Sequence, residues 1–213
     1  MTDLSEQISN YISEHSTPED TVLAELYRET HLKMIYPRMI SGPLQGKFLE
    51  LISRMIRPKY ILEIGTFTGY SAICLAKGLA NNGKLYTIEI NDELTGFSKK
   101  YFSKAGLSSK IELITGNAIQ IIPTLPYSFD LVFIDAEKKE YVNYYNAVIE
   151  KLVSGGIIII DNVLWDNKVI EKPKQSDQET LAIKELNDLI VHDSRVENII
   201  LPLRDGINLI RKK

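Results

Sequence analysis

The sequence predicts an α/β protein built on a doubly wound, mostly parallel sheet, with helices on both faces and a C-terminal antiparallel hairpin. Three observations lead to this prediction. From residue 60 onward, short β-branched runs alternate with amphipathic segments, which is typical of parallel sheets. One run, 157–160, is four consecutive isoleucines, as expected for a central strand covered on both faces. The dipeptide Asp205–Gly206 separates the last two apolar runs and favours a hairpin.

Seven apolar runs are candidate strands, and the segments between them are candidate helices or loops. The stretch 163–177 is polar and predicts a loop beside the site. The predicted strands are 60–64, 84–90, 111–115, 129–134, 157–160, 196–203 and 207–210.

The first 56 residues have the periodicity of three helices. Thr17 and Pro18 predict the N-cap and first turn of the second helix. The third helix follows Gly42 and Pro43. The apolar faces of the first two helices consist of Leu4, Ile8, Tyr11 and Ile12, and of Val22, Leu23, Leu26 and Tyr27. We therefore predict one domain, 1–213, in which a helical segment, 1–56, caps an α/β core, 57–213.

Composition and charge exclude several classes of protein. The chain has 213 residues, 44% hydrophobic and 25% charged, so intrinsic disorder is not expected. Its net charge of −3 and its lack of a basic stripe disfavour a nucleic-acid partner. No signal peptide or transmembrane run is present, so we expect a cytoplasmic protein. Cys74 is the single cysteine, which excludes an intramolecular disulfide and a Cys-rich zinc site.

A glycine turn follows the first predicted strand, in the segment 61–69, ILEIGTFTG. Gly65 and Gly69 allow a tight turn and close approach of a ligand to the backbone. Glu63 lies just before the turn, where it would repel a pyrophosphate and suit an ammonium or sulfonium group. Glu89 ends the second strand, a position from which an acid commonly accepts hydrogen bonds from a ribose diol.

Acidic and amide side chains follow the fourth and fifth predicted strands. Because ligands of open α/β sheets bind at the carboxyl ends of the strands, Asp135, Asp161 and Asn162 could converge on one point. Oxygen ligands without a nearby His or Cys favour Mg²⁺, Ca²⁺ or Mn²⁺ over zinc. Lys138 lies one helical turn after Asp135, where a metal cation would favour its neutral form and make it a base.

These motifs together resemble a known family. The segment 61–69 followed by Glu89 resembles the S-adenosylmethionine site of class I methyltransferases, whose sheet has seven strands with one antiparallel. FDLVFIDAEKKEY, 129–141, and GGIIIIDNVLW, 155–165, narrow the resemblance to the cation-dependent O-methyltransferases of the catechol and caffeoyl-coenzyme A type. It extends from about Tyr36 to Arg211, including the hairpin segment LPLRDGINLIRK.

The resemblance implies roles for individual residues. Asp135, Asp161 and Asn162 would bind the divalent metal, and Lys138 would be the catalytic base. The segment MISGPLQG, 39–46, would close over the methionine end of the cofactor. The implied cofactor-binding residues are Met39, Ser41, Gly42, Glu63, Gly65, Thr66, Phe67, Gly69, Ser71, Glu89, Asn117, Ala118 and Asp135.

The chain departs from the family pattern at two positions. Glu137 stands where many members have Asp, but this position is not an implied metal ligand. Asn117 stands where many members have an Asp that faces the adenine amino group. The amide oxygen of Asn117 can accept a hydrogen bond in its place.

The expected function is S-adenosylmethionine- and divalent-metal-dependent methylation of one hydroxyl of a catechol-like or other vicinal-diol aromatic acceptor. Arg38, Trp165 and Asn208 are candidate acceptor contacts. The resemblance also implies a homodimer with the N-terminal helices near the interface.

Three alternative functions fit the sequence less well. A nicotinamide-dependent oxidoreductase would share the sheet and the ribose acid, but the third glycine is missing and Glu63 opposes a pyrophosphate. A non-catalytic methyltransferase-like binding module would not need Asp135, Lys138, Asp161 and Asn162 intact. RNA as the acceptor is disfavoured by the net charge of −3.

Overall fold

A seven-stranded sheet forms the centre of the protein. The structure is a computed structural model that describes the backbone of residues 4–213 and the side chains of residues 7–213. The strand order is β3-β2-β1-β4-β5-β7-β6, in which β1 to β5 pair in parallel and β7 pairs antiparallel to both β5 and β6. The strands are β1 Tyr60–Ile64, β2 Lys84–Glu89, β3 Ile111–Thr115, β4 Phe129–Ile134, β5 Leu152–Asp161, β6 Val196–Leu201 and β7 Ile207–Lys212. The predicted fold class is confirmed.

The strand order places a crevice between β1 and β4. The chain winds from β1 to β2 and β3 on one side, then returns to β4 and β5 on the other. Such a reversal leaves a gap at the carboxyl ends of the two central strands, where ligands of these folds bind. Gly65 follows β1 there and donates to the carbonyl of Ile88, while Asp135 follows β4 and donates to the carbonyl of Ile64.

Helices cover both faces of the sheet and bury two apolar clusters. One cluster packs the α6, α7 and α8 side, and the other packs the α2 to α5 side. No helix within residues 4–213 combines the length and the apolar character needed to cross a membrane. The helices are α1 Leu4–Glu14, α2 Thr21–Lys33, α3 Gly42–Ile56, α4 Tyr70–Ala76, α5 Thr95–Lys104, α6 Ala118–Ile121, α7 Tyr141–Ile149 and α8 Gln178–His192.

Three strands have the predicted bounds, and the fifth is longer than predicted. β5 begins at Leu152 and passes through Gly155, which has a φ of +79°. The β4–β5 register shifts between Phe129 and Leu131, which indicates a bulge or another irregularity at this end of the pair. The isoleucines 157–160 remain its centre, with alternate side chains in the two apolar clusters.

The N-terminal segment differs from the prediction in one cap. The prediction of Thr17 and Pro18 as the start of α2 is wrong, because Asp20 is the N-cap and its side chain accepts from the backbone N–H of Leu23. The carboxylate of Asp20 also binds Lys77, which ties the start of α2 to α4. The α1 residues Ile8 and Tyr11 are 52% and 62% exposed, and the side chain of Leu4 lies outside the described residues.

Candidate functional site

The glycine turn after β1 is built as the sequence predicts. Gly65 and Gly69 have φ of +96° and +90°, a region that favours glycine. A Cβ at Gly65 would lie 1.9 Å from the carbonyl oxygen of Asp135, and one at Gly69 would lie 2.5 Å from the ring of Phe102. The turn therefore lies directly against the end of β4, and only glycine fits at these two positions.

Phe67 occupies the tip of this turn in a left-handed conformation, with a φ of +48°. Its N–H donates to Oε2 of Glu89 at 2.7 Å, and its carbonyl accepts from the hydroxyl of Ser98 at 2.9 Å. The other carboxylate oxygen of Glu89 accepts from the N–H of Asn91 at 3.0 Å. Two backbone donors thus orient Glu89 at the carboxyl end of β2. An acid at this position commonly accepts hydrogen bonds from a ribose diol.

Glu63 is a buried carboxyl group with an unpartnered oxygen. Its side chain is fully buried, and Oε2 accepts from the hydroxyl of Thr87 at 2.5 Å. Oε1 has no hydrogen-bond partner among the described residues, and the hydroxyl of Ser71 lies close enough to act against the rise in the pKa of Glu63. Burial raises the pKa of Glu63 to about 8, and the charges of Asp135 and Glu89 act in the same direction. A buried acid without a cationic partner fits the ammonium group of an amino-acid cofactor, since the cation would restore its ionised form.

Asp135, Lys138 and Tyr141 form a chain of contacts at the end of β4. The ammonium of Lys138 donates to Oδ1 of Asp135 at 2.9 Å and to the hydroxyl of Tyr141 at 2.7 Å. Tyr141 in turn donates to the carbonyl of Asp161 at 3.1 Å, which joins the ends of β4 and β5. The predicted base and the two predicted metal-binding aspartates are therefore neighbours.

The pKa of Lys138 is raised, not lowered. Burial acts to lower it, but the interactions with Tyr141 and Asp135 outweigh burial. The sequence predicts that a nearby cation favours the neutral amine, whereas the protein groups alone have the opposite effect. Lys138 thus carries a proton until the negative charge around it is neutralised.

Asp161 is 3% exposed and is oriented by two donors. Its Oδ2 accepts from the side-chain amide of Gln45 at 2.7 Å, and its Oδ1 accepts from the N–H of Asn162 at 2.8 Å. Burial raises the pKa of Asp161 to about 7, and the charge of Asp135 adds to this rise. Asn162 itself has a φ of +60°, which places it at the turn out of β5.

The donor set at this point suits a hard divalent cation. Two carboxylates, Asp135 and Asp161, repel one another electrostatically, and Asn162, the next residue after Asp161, has an amide oxygen of the kind that binds such cations. A divalent cation would relieve that repulsion, and the oxygen-only set favours Mg²⁺, Ca²⁺ or Mn²⁺. The described part of the chain contains no cluster of three His, Cys, Asp or Glu side chains suited to a metal.

The segment before α3 is held by hydrogen bonds to the loop between β6 and β7. Met39 is 58% exposed in the turn Pro37–Met39, whereas Ser41 is buried and Gly42 begins α3 with a φ of +75°. The carbonyls of Ile40 and Ser41 accept from the guanidinium of Arg204, which follows β6. A cavity of about 350 Å³ lies against this segment and is lined by Tyr27, His31, Arg38, Ile40, Ser41, Gly42, Pro43, Leu44 and Arg204.

The remaining predicted cofactor residues lie around the turn and after β3. Thr66 is buried and its hydroxyl bonds that of Thr87 at 2.5 Å, while Ser71 lies beside Glu63. Asn117 caps α6, and its amide oxygen accepts from the N–H of Ile119 at 2.9 Å. The oxygen that the sequence analysis assigned to the adenine therefore already has a backbone partner. Ala118 is the buried first residue of α6.

The predicted acceptor contacts differ in their accessibility. Arg38 lines the cavity, and the ring of Trp165 lies 5.9 Å from the ammonium of Lys138. Asn208 is fully buried and accepts from the side chain of Asn198 at 3.0 Å. Because β7 pairs Asn208 with Ile160, its side chain lies on the α7–α8 face of the sheet, and its Nδ2 has no hydrogen-bond partner among the described residues.

Sequence reasoning missed three residues of the site, namely Gln45, Tyr141 and Arg204. Gln45 is a polar residue at a position of α3 that is fully buried, and such a mismatch with the apolar pattern is the signal that could have identified it. Tyr141 lies three residues after Lys138, within reach on one helical face. Arg204 lies in the predicted hairpin turn, and no sequence pattern assigns it a role at the site.

Comparison with known proteins agrees with this geometry. The O-methyltransferase family matches residues 13–213. This chain belongs to the O-methyltransferase family. Its relatives include the caffeoyl-CoA O-methyltransferase of Eucalyptus gunnii, with 33% identity over 98% of this chain and 88% of the relative. The probable caffeoyl-CoA O-methyltransferase 2 of Dictyostelium discoideum is also 33% identical, over 96% of this chain and 91% of the relative.

Solved structures of O-methyltransferases share the fold over nearly the whole chain. The O-methyltransferase from Bacillus cereus in complex with SAH superposes with a TM-score of 0.90 and 30% identity, covering 97% of both chains. The O-methyltransferase TomG from Streptomyces achromogenes, in complex with SAM, gives a TM-score of 0.91 and 28% identity, covering 100% of both chains. Family membership and fold are therefore established together.

Proposed function

We propose that the protein is an S-adenosylmethionine- and divalent-metal-dependent O-methyltransferase that methylates one hydroxyl of a catechol-like or other vicinal-diol aromatic acceptor. The single observation that carries this proposal is that a buried acid and a pair of carboxylates lie close together at the β1–β4 crevice. Glu63 presents a buried, unpartnered acid oxygen on the cofactor side. Asp135 and Asp161 present a repelling carboxylate pair on the acceptor side. The first pattern fits the methionine ammonium, and the second fits a divalent cation.

The cofactor would supply the methyl group as a sulfonium, and a divalent cation at Asp135, Asp161 and Asn162 would hold two vicinal acceptor oxygens and favour loss of one proton. The protein's part is to position and to move protons. Lys138 would release its own proton to solvent once a bound cation offsets the charge of the two aspartates, and it would then accept the hydroxyl proton. Tyr141 keeps its amine beside Asp135. The glycine turn and Glu89 hold the cofactor at the end of β1. Positioning of this kind can contribute about 7–11 kcal/mol in well-oriented reactions.

Two side chains near the site are candidate contacts for the acceptor. The ring of Trp165 lies beside Lys138, where it would stack on an aromatic acceptor. Arg38 lines the cavity beside residues 40–44 and would contact an anionic substituent of a molecule bound there. The whole chain would act as one catalytic domain in the cytoplasm.

The decisive experiment measures methyl transfer from labelled S-adenosylmethionine to a panel of catechols, with Mg²⁺ and with EDTA. We expect transfer that EDTA abolishes and that Mg²⁺ or Mn²⁺ restores. Asp161→Ala should remove turnover, whereas the control Asp188→Ala, on the exposed side of α8, should retain it. Transfer that survives EDTA, or full activity in a folded Asp161→Ala protein, would contradict the metal mechanism. Binding of a nicotinamide cofactor without S-adenosylmethionine would instead favour an oxidoreductase.

We also propose that the protein is a homodimer with α1 near the interface. This proposal is supported by the exposed apolar side chains Ile8, Tyr11 and Ile12 on that helix. Light scattering coupled to size exclusion should give twice the chain mass of 24.2 kDa, and Tyr11→Glu should shift the protein toward monomer. A monomeric wild-type protein at micromolar concentration would contradict it.

A further inference from the structure

A buried amide joins the proposed metal site to the loop between β6 and β7. Gln45 is fully buried on α3 and makes two side-chain hydrogen bonds. Its Nε2 donates to Oδ2 of Asp161 at 2.7 Å, and its Oε1 accepts from Nη1 of Arg204 at 2.8 Å. The three residues come from three distant parts of the chain, so only the fold brings them together.

The arginine determines which way the amide faces. A guanidinium can only donate, so the atom of Gln45 that faces Arg204 must be the oxygen. The NH₂ group is then necessarily directed at Asp161, which can only accept when ionised. Without Arg204 the amide could rotate or flip, and the carboxylate of Asp161 would lose its fixed donor.

Arg204 itself is held in a conformation that disfavours a side chain. Its φ is +52°, in the left-handed region, where a glycine is normally preferred. The same Nη1 that binds Gln45 also contacts the carbonyl oxygens of Ile40 and Ser41. One nitrogen therefore contacts both the segment proposed to cover the cofactor and the amide that orients a proposed metal ligand.

We propose that Gln45 and Arg204 are positioning residues: Gln45 orients the Asp161 carboxylate for a divalent cation, and Arg204 locks both Gln45 and the 40–41 backbone of the cofactor segment. This inference deepens the proposed function and rests on it. Groups that orient metal ligands commonly change metal affinity by 10–100-fold when removed. Neither residue touches the reacting atoms, so their loss should act first on binding.

The two substitutions should have different signatures. Gln45→Leu keeps the side-chain volume but removes the donor to Asp161, so metal affinity should fall by roughly 10–100-fold while cofactor affinity changes little. Arg204→Gly releases Gln45 and the carbonyls of Ile40 and Ser41 together, so both affinities should fall. Arg204→Lys retains one donor and should recover part of the loss.

Arg57 offers a matched control for the arginine. It has the same φ of +52°, is exposed at the end of α3, and makes no side-chain hydrogen bond within the described residues. Arg57→Gly relieves the same backbone conformation without touching the site, so it should leave both affinities at the wild-type level. Comparing Arg204→Gly with Arg57→Gly therefore separates the loss of the Arg204 contacts from the general effect of placing glycine at a left-handed position.

The experiment measures Mn²⁺ binding by the loss of the free-ion EPR signal and SAH binding by calorimetry, on the full chain, with thermal unfolding as the check of folding. The inference is supported if Gln45→Leu weakens Mn²⁺ alone, Arg204→Gly weakens Mn²⁺ and SAH, and Arg57→Gly weakens neither. Mn²⁺ affinity equal to wild type in folded Gln45→Leu and Arg204→Gly proteins would overturn it. If Gln45→Leu does not fold, the Mn²⁺ affinities of Arg204→Gly and Arg204→Lys are compared instead. Tighter Mn²⁺ binding by Arg204→Lys than by Arg204→Gly supports the inference, and wild-type Mn²⁺ affinity in Arg204→Gly contradicts it.

Failure of the inference and failure of the proposed function give different results. A wild-type protein that binds Mn²⁺ and transfers methyl groups, with variants that bind equally well, contradicts only the positioning role. A wild-type protein that binds no Mn²⁺ contradicts the metal site itself and the positioning role with it.

Discussion

The backbone N–H of Phe67 donates a 2.7 Å hydrogen bond to Oε2 of Glu89, which ties the tip of the glycine turn to the end of the neighbouring strand. Phe67 keeps a left-handed φ of +48° in this position, which is costly for an aromatic residue. Glu89 therefore supports the conformation of the turn in addition to its proposed contact with the ribose. Loss of the carboxylate should affect both.

Glu89→Ala should weaken SAH binding by at least roughly tenfold and lower the free energy of unfolding by about 1–3 kcal/mol, because two backbone donors lose their acceptor. Calorimetry with SAH and urea unfolding measure the two effects. Glu112→Ala, at an exposed glutamate of β3 that pairs with Lys84, is the control and should change neither. Unchanged SAH affinity in Glu89→Ala would contradict the ribose assignment.

The buried acid Glu63 should make stability depend on pH. Its folded pKa, about 8, lies above its ordinary value of 4.5, so the native state binds more protons than the unfolded state between those values. Its contribution to stability is fully present below about pH 4.5 and is lost as the pH rises through 8. Asp161, whose pKa is raised to about 7, contributes in the same direction.

The free energy of unfolding in the absence of ligands should therefore fall from pH 5 to pH 8. In Glu63→Gln the free energy of unfolding should fall less steeply over this range, because Asp161 alone still titrates there. Urea unfolding at three pH values measures the slope. S-adenosylmethionine binding near pH 7 should release a proton from Glu63, which calorimetry in buffers of different ionisation enthalpy detects. Equal slopes for wild type and variant would show that Glu63 is not the titrating group.

Gly65→Ala should destabilise the protein by about 3 kcal/mol or more, because a positive φ combines with a Cβ 1.9 Å from the carbonyl oxygen of Asp135. Cofactor binding should be lost with it, since the turn and the end of β4 must separate. Gly96→Ala on α5 is the matched control, because its Cβ would meet open space, and it should stabilise the protein by roughly 0.5–1 kcal/mol. Thermal unfolding of both variants tests the pair.

Tyr141→Phe should lower kcat by roughly ten- to a hundredfold with little change in fold, since it removes the hydroxyl that holds Lys138 while its ring stays in the core. The affinity for S-adenosylmethionine should be unchanged. Tyr144→Phe is the control, because it makes the same substitution about one helical turn further along α7. It should have wild-type kcat. Wild-type kcat in Tyr141→Phe would contradict a role of the Tyr141 hydroxyl in positioning Lys138.

The sheet was predictable because its information is local. β1, β3 and β4 are short apolar runs bounded by polar or glycine residues, and their predicted bounds match the structure. The start of α2 was predicted wrongly because two cap signals compete within four residues, and the carboxylate of Asp20 prevails over Thr17. A local sequence pattern does not show which of two neighbouring residues will be the N-cap.

The contacts between distant segments were not predictable in the same way. Asp135 and Lys138 are three residues apart, so their proximity follows from helical geometry. Gln45 and Arg204 are 159 residues apart, and no periodicity relates them. The acid side chains of the site could be placed from the strand ends, whereas the groups that orient them needed the folded chain.

The position of β7 between β5 and β6 has a consequence for biosynthesis. β6 emerges from the ribosome before β7, yet it reaches the sheet only through β7. Until residues 207–212 are synthesised, the free edge of the isoleucine-rich β5 is an open template on which another nascent chain could pair. Arrival of the last strand closes that edge, so substitutions in β7 that slow its pairing should be seen first as inclusion bodies in the cell and only later, if at all, as a lower melting temperature.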